Sequence, residues 1–334
     1  MILPERNITG KGDWMAFYCG DELEIQKEGS KFVLYDGEVT DAILPSEEGL
    51  YYGRNGSLCL FDFATESEKT ITSGWNNVSP AAKIDDYMYF YASLPQDAGA
   101  GFLVEVNLKS GETRQFDFPE FGSIIVCGGE IYYTANRYEK CAVPLYKADL
   151  KKGTAEIVDT AVGLNVMANK GKLYYCQAAE KGAFLDNEAQ ISVVEFDTKT
   201  GKTRELTSGT YGEIGEPVET GTESIYFLTQ KYQETNQFYK SSCKKWKPDV
   251  IIEGASLSYI HRSAGALYVL ESYYDSFRIK RCEIEEGKVK ISESELMDGL
   301  FLGLYGPIYY HSFFDENDQY RYHYDKLWLH EVTE

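Results

Sequence analysis

Four histidines, seven cysteines and 53 acidic residues are the side chains with which this 334-residue chain could do metal, nucleophilic or acid–base chemistry. His261, His311, His323 and His330 include no pair spaced to ligate from one turn, and there is no Cys-x-x-Cys. No zinc or other metal site is therefore expected. His323 and His330 fall on one expected strand at a spacing that turns them to opposite sides. The loop Asp315-Glu316-Asn317-Asp318 has oxygens that suit calcium, without the Gly and terminal Glu of the helix-loop-helix motif. It reads as a solvated hairpin loop. Thr72-Ser73-Gly74 and Thr207-Ser208-Gly209 lack the leading glycine of a nucleophile elbow and read as turns. Gly99-Ala100-Gly101 precedes a strand, not a helix whose N-terminus could hold a phosphate. Acid–base work by neighbours such as Asp85-Asp86 depends on separation in space, and among 53 acidic residues coincidental pairs are expected. No catalytic residue and no cofactor is expected from linear pattern.

What remains is aromatic. Tyr138, Phe184, Tyr232 and Phe313 fall in long polar segments between expected strands, as do Tyr273 and Tyr274. Trp75, Phe121, Tyr211 and Phe301 stand where one group of strands hands over to the next. Aromatics exposed among polar residues suit contact with a protein or a sugar. Tyr138, Phe184, Tyr232, Phe313, Trp75 and Tyr211 are the candidate ligand-binding residues. The hand-over aromatics recur with the strand pattern, so they also fit as wedges between neighbouring strand groups.

The elements that must position these residues form a repeat. Its marker is an aliphatic residue, a tyrosine and usually a further aromatic: Leu50-Tyr51-Tyr52, Met88-Tyr89-Phe90, Ile131-Tyr132-Tyr133, Leu173-Tyr174-Tyr175, Ile225-Tyr226-Phe227, Leu267-Tyr268-Val269 and Ile308-Tyr309-Tyr310. The central tyrosines are 38, 43, 42, 52, 42 and 41 residues apart. A period of ~40–50 residues built only of strands is that of propeller blades. A worn copy stands first, at Trp14-Met15-Ala16-Phe17-Tyr18.

Each copy holds four expected strands. A small apolar strand such as Ile124-Ile125-Val126 is innermost, and the tyrosine strand is second. A third alternates, as in Val193-Val194-Glu195-Phe196-Asp197, and a polar fourth such as Thr203-Arg204-Glu205-Leu206-Thr207 suits an exposed edge. Lys109-Ser110-Gly111, Lys152-Gly153 and Lys199-Thr200-Gly201 turn between third and fourth strands. The connections from second to third strand are long: Ser93–Gly101, Ala135–Pro144, Gln177–Gln190, Gln230–Asn236 and Ser312–Gln319. One or two helical turns are expected within Ala178–Asn187. The last copy has strands at Phe301–Leu304, Ile308–Phe313 and Tyr320–His330, and Ile2-Leu3 could supply its fourth and close the ring. The expectation is an all-β fold, a single β-propeller domain over 1–334, of four-stranded antiparallel blades. Eight blades are favoured and seven is the alternative.

The net charge of −20 would repel a nucleic acid or an anionic membrane and serves solubility. Lys244-Lys245-Trp246-Lys247 is too small a basic cluster to reverse that. No stretch approaches the ~20 apolar residues of a membrane helix. The scattered cysteines read as small buried hydrophobes in a reducing compartment. A cytoplasmic monomer is expected, or an extracytoplasmic one if a leader has been removed.

The tyrosine strand, the polar loop, the strand Leu145-Tyr146-Lys147-Ala148-Asp149-Leu150 and the glycine turn resemble the repeats of bacterial TolB-like propellers. This resemblance covers essentially the whole chain and implies fold, not activity. Phe196-Asp197-Thr198-Lys199-Thr200-Gly201-Lys202 is similar to a quinoprotein repeat, but Leu206 stands near where that family has a tryptophan. No quinone is carried over. The expected function is a non-catalytic binding or scaffold propeller, with a protein or carbohydrate ligand on its long-loop face. The alternative is a propeller hydrolase or lyase whose site, at the mouth of the central channel, leaves no linear motif.

Overall fold

The computed structural model describes residues 8–19, 22–27, 33–36, 39–94, 97–119, 121–135, 142–178, 189–229, 235–263, 266–285, 288–305, 308–314 and 320–331. The chain divides into two compact units, one of residues 1–118 with 298–327 and one of 119–297 with 328–334.

The first unit holds three four-stranded antiparallel meanders. They are Ile8–Lys11, Trp14–Cys19, Glu22–Lys27 and Val33–Asp36; then Val39–Pro45, Gly49–Arg54, Ser57–Asp62 and Ser67–Ser73; then Asn76–Ile84, Tyr87–Leu94, Asp97–Asn107 and Thr113–Phe116. A three-stranded sheet follows from Leu300–Tyr305, Ile308–Phe314 and Tyr320–Lys326. The second strand of a meander is buried on both faces, which explains the paired aromatics. Leu50 and Tyr52 pack with Trp14, Leu23 and Ile25 of the preceding sheet. Tyr51, pointing the other way, packs with Val78, Met88 and Phe90 of the following one. Successive side chains of a strand alternate between faces, so a strand between two cores needs an apolar residue at every position.

Burying so many tyrosines requires acceptors for their hydroxyls. Carboxylates supply them: Tyr51 donates to Glu48 at 2.7 Å, Tyr89 to Glu105 at 2.8 Å, Tyr174 to Glu195 at 3.0 Å and Tyr175 to Asp159 at 3.1 Å. Part of the acidic excess is thus structural.

The second unit begins with a seven-stranded sheet running in chain order from Phe121–Cys127 to Lys202–Thr210. Two copies of the repeat are fused in it. Thr154–Asn169 is one 16-residue strand that serves as last strand of one copy and first of the next. Sequence reading places separate strands here. The chain runs on without a turn; between Asp159 and Val162, where the ladder shifts register, the Asp159 carboxylate accepts from the amides of Thr160 and Ala161 at 2.7 and 3.2 Å. Two sheets follow. One is Glu216–Thr220, Ser224–Leu228, Asn236–Ser242 and Asp249–Gly254; the other is Leu257–Ser263, Ala266–Ser272, Ser276–Glu285 and Lys288–Glu293.

Other expectations need correction. The segment Tyr320–His330 is not one strand: it stops at Lys326, and His330–Glu331 pairs with Ser292 and Glu293 as a fifth strand. The segment Ser93–Gly101 is largely strand, since Leu94 still pairs with Asp97. A one-turn helix at Tyr211–Ile214 was not foreseen. Ile2-Leu3, and the helical turns expected within 178–187 apart from the strand residue Ala178, lie outside the described residues. Among the described residues, no helix is long and apolar enough to cross a membrane. Cys59, Cys127, Cys176 and Cys282 are buried free thiols, and Cys243 is half-buried and free.

Candidate functional site

Three of the candidate aromatics, Tyr138, Phe184 and Tyr232, lie outside the described residues. Trp75 is half-buried. Its ring meets Phe90 and Phe102 edge-on at 5.9 and 6.2 Å, and its backbone N–H donates to the Gly56 carbonyl at 3.0 Å. It therefore joins the hairpin of one sheet to the core of the next. Phe121 is buried against Tyr133, ring centroids 5.1 Å apart. Phe313 belongs to a strand rather than a loop, paired in register with Arg321, its ring stacked on His311 at 5.7 Å. Phe301 also lies on a strand, opposite His311.

Tyr211 opens the one-turn helix of the second unit, and its hydroxyl donates to Oε1 of Glu216 at 2.7 Å. Gly215 makes the bend between them at φ 73°, and a Cβ there would lie 2.5 Å from the Leu228 carbonyl oxygen. Only glycine fits so close an approach at positive φ. Oε2 of Glu216 accepts from the side-chain amide of Asn165, on the long strand of the preceding sheet. Burial pushes the Glu216 pKa up, and the two hydrogen bonds offset only part of that. Beside it, the fully buried Cys176 thiol donates to the Gly215 carbonyl at 3.4 Å, and burial followed by the Glu216 charge raises its pKa well above the ordinary value. The Tyr239 hydroxyl donates to the Ile214 carbonyl. The result is a buried carboxyl between two sheets whose pKa lies above the ordinary carboxylate value.

Glu195 is the contrasting case. Burial would raise its pKa, but hydrogen bonds from Lys172, Arg204 and Tyr174 outweigh it and hold the carboxyl below the usual range. Two cations make the difference.

Two exposed aromatics of the second unit crown the hairpin between Ala266–Ser272 and Ser276–Glu285. The apex Tyr273-Tyr274-Asp275 is closed by the Tyr273 N–H donating to Ser276 O at 2.8 Å, and Tyr274 is 98% exposed. Tyr273 is 44% exposed; burial of part of its ring and then the Glu271 carboxylate push its hydroxyl's pKa up. Pairing of Glu271 with Arg278 and of Lys280 with Glu293 puts these four side chains on one face. On that face Val269, Cys282 and Ile291 pack into the core. One step nearer the apex, the apolar residues give way to charge. Lys280 Nζ lies 3.2 Å from Glu271 Oε2 and 3.7 Å from Glu293 Oε2, and Arg278 lies 3.9 and 3.5 Å from the same two carboxylates. Glu271 is 8% exposed. Its Oε2, and the Nε of Arg278, are buried without a hydrogen bond.

Linear reading missed Glu216, Asn165, Glu271, Arg278, Lys280 and Glu293. A signal existed in each case. Glu216 and Asn165 are polar residues opening or preceding an inner, otherwise apolar run, Pro217-Val218 and Val166-Met167. Glu271, Arg278 and Lys280 interrupt an alternation whose partners on the same face are Val269 and Cys282.

No family model and no curated protein matches the chain in sequence. Solved structures match it in shape. A structure of prolyl endopeptidases superposes with TM-score 0.58 and 13% identity, covering 88% of this chain and 49% of that one. Oligogalacturonate lyase from Vibrio parahaemolyticus superposes with TM-score 0.54 and 12% identity over 89% of this chain and 86% of its own. The fold is a β-propeller. TolB from Acinetobacter baumannii also matches, at TM-score 0.44 and 10% identity, over 87% of this chain and 79% of its own. The propeller described here spans about half the length of the prolyl endopeptidase chain. Identities this low carry the fold and nothing of activity.

Proposed function

We propose that the protein is a non-catalytic binding propeller whose loops between second and third strands meet a protein or glycan ligand. The single observation that supports this most is the Tyr273-Tyr274 apex, where a fully exposed aromatic stands on a rigid two-stranded stem. Rigid amphipathic rings are the usual anchors of a contact surface, and a residue this exposed contributes little to folding. A glycan array and a pull-down with wild type and Tyr274→Ala test the reading. The variant should melt as wild type does and lose ~2 kcal/mol of binding. A ligand bound equally well by both would refute the role of the apex.

A second reading, a hydrolase or lyase, draws support from Glu216, a carboxyl of raised pKa at the start of an inner strand. Perturbed carboxyls mark acid–base sites in many enzymes. Glu216→Gln would abolish turnover under this reading and leave binding intact under the first.

A further inference from the structure

The basic run Lys244-Lys245-Trp246-Lys247 lies in the turn between Asn236–Ser242 and Asp249–Gly254, and the fold enlarges it. Against it stands the turn end of the preceding sheet. Arg204 of that sheet donates from Nη1 to the Lys244 carbonyl and from Nη2 to the Cys243 carbonyl, both at 2.9 Å. Lys170, at the turn before Lys172–Ala178, reaches across as well, its Nζ donating to the Thr222 carbonyl at 3.0 Å. We propose that the turn ends of these two sheets form one basic platform that docks an acidic segment of a partner protein. The platform does not depend on the Tyr273-Tyr274 apex, which crowns a connection from second to third strand.

Charge sets the class of partner. Lys170, Lys172, Lys199, Lys202 and Arg204 come from the first sheet, and Lys244, Lys245 and Lys247 from the second. The carboxylates among them are Glu195, Asp197, Glu205 and Glu223. Eight positive charges thus face four negative ones, on a chain whose net charge is −20. Lys240 and Asp249 pair with each other at 3.3 Å and leave that excess as it is. Flanking ion pairs, Glu130 with Lys147 and Asp149 with Lys152 on one side and Glu219 with Arg262 on the other, are neutral. Glu195 is shared by Lys172 and Arg204, and Glu223 by Lys170 and Lys244. Asp197 Oδ1 accepts from the amides of Lys199 and Thr200, and Glu205 Oε2 from the Ser192 hydroxyl. Lys199, Lys202, Lys245 and Lys247 are exposed and make no ion pair among the described residues.

Rigidity distinguishes the platform from a solvated loop. Trp246 anchors the turn, its ring edge-on to Phe227 at 5.2 Å and to Tyr239 at 6.0 Å. The Lys244 amide donates to the Ser242 hydroxyl at 3.1 Å, the Lys247 amide to the Ser241 hydroxyl at 2.8 Å and the Cys243 amide to the Glu223 carbonyl at 3.0 Å. With the two bonds from Arg204, the backbone beneath the lysines is fixed while their ammonium groups stand in water. A fixed array loses less entropy on meeting its complement than a mobile loop does, and it steers an oppositely charged partner into place. The lysines stand on separate turns instead of converging on one point, so several carboxylates along a segment suit them better than one small anion. A nucleic acid is longer than the platform, and its backbone would run on over a surface of excess negative charge.

The test is fluorescence anisotropy with labelled octaglutamate, against octaglutamine as neutral control and an oligothymidylate of equal length as nucleic-acid control. Octaglutamate should bind at ~50 mM salt and weaken ~10-fold or more by ~200 mM, and octaglutamine should not bind. Lys245→Glu with Lys247→Glu and, on the other sheet, Lys199→Glu should each weaken octaglutamate ~10-fold with melting unchanged. Lys69→Glu, at an exposed lysine of the first unit, shifts net charge as much as Lys199→Glu and should leave binding as it is, as should Tyr274→Ala. Failure of octaglutamate to bind, or equal binding by wild type and the platform variants, overturns the assignment. An equal loss with Lys69→Glu overturns it as well, since net charge alone would then explain the affinity. Oligothymidylate bound as tightly as octaglutamate would put a nucleic acid in place of the protein segment, and self-association lost in the platform variants would put a second copy there; either overturns the partner class.

Discussion

The Tyr211 hydroxyl reaches Oε1 of Glu216 at 2.7 Å across a bend that only Gly215 can make. Glu216 receives its other hydrogen bond from Asn165, and among the described residues neither donor is a cation, so burial governs its ionisation. A carboxyl whose folded pKa lies above its unfolded one holds its proton more tightly in the native state. Its contribution to stability is complete below the ordinary carboxylate pKa and is lost as pH rises through the raised value. Glu216→Gln keeps the shape without the titration. The variant should therefore melt higher than wild type at pH 8, with the gap closing toward pH 4. Thermal scans across that range check it, and a gap that widens on acidification would contradict the assignment.

Glu195 should behave in the opposite sense. Its lowered pKa means stability present at neutral pH and lost as pH falls through the folded value. Its side chain is 6% exposed, and removing it takes a partner from Lys172, Arg204 and the Tyr174 hydroxyl. Glu195→Ala should cost ~1–2 kcal/mol in urea denaturation at pH 7, chiefly because the buried Tyr174 hydroxyl loses its acceptor, whereas Lys172 and Arg204 are 34% and 47% exposed and keep solvent.

Trp75→Ala should destabilise the fold by ~2–4 kcal/mol, since the ring fills the space beside Phe90 and Phe102 and its loss opens a cavity. Trp75→Phe should recover about half of that. Equilibrium unfolding separates this from a purely ligand-facing role, in which both variants would be as stable as wild type.

Thiol labelling at pH 8 should rank the cysteines by burial. Burial pushes Cys59 up to about 11 and Cys282 up to about 12, so at this pH neither presents much thiolate. Half-buried Cys243 should react first among the five with described side chains, as mapped by mass spectrometry of the alkylated native protein. Fast labelling of Cys282 would mean that its sheet opens locally.

The fold was legible because its marker is forced by packing. Tyr51 and Tyr52 enter different cores, so the pair must recur wherever a strand is sandwiched, and its period exposes the architecture. The position of Trp75 between strand groups was legible as well, but the direction of its ring was not, since that depends on Phe90 and Phe102 of another sheet. The charged cluster of Glu271, Arg278, Lys280 and Glu293 is invisible along the chain for a related reason. Glu271 and Glu293 are brought to the same cations only by cross-strand register, which no spacing rule encodes. The continuous strand at Thr154–Asn169 is not marked along the chain, because the last strand of one copy and the first of the next read alike whether or not a turn parts them.

That strand gives two neighbouring copies a shared backbone. Its first half is laddered to Val143–Asp149 and its second to Lys172–Ala178. Opening either ladder in isolation would strain the other, so amide hydrogens on both sides should exchange with solvent at matched rates, as one cooperative block. Where Ser67–Ser73 hands over to Asn76–Ile84, by contrast, the two strands belong to separate sheets, and a repeat could be gained, lost or transplanted there. Here the smallest heritable piece is the pair.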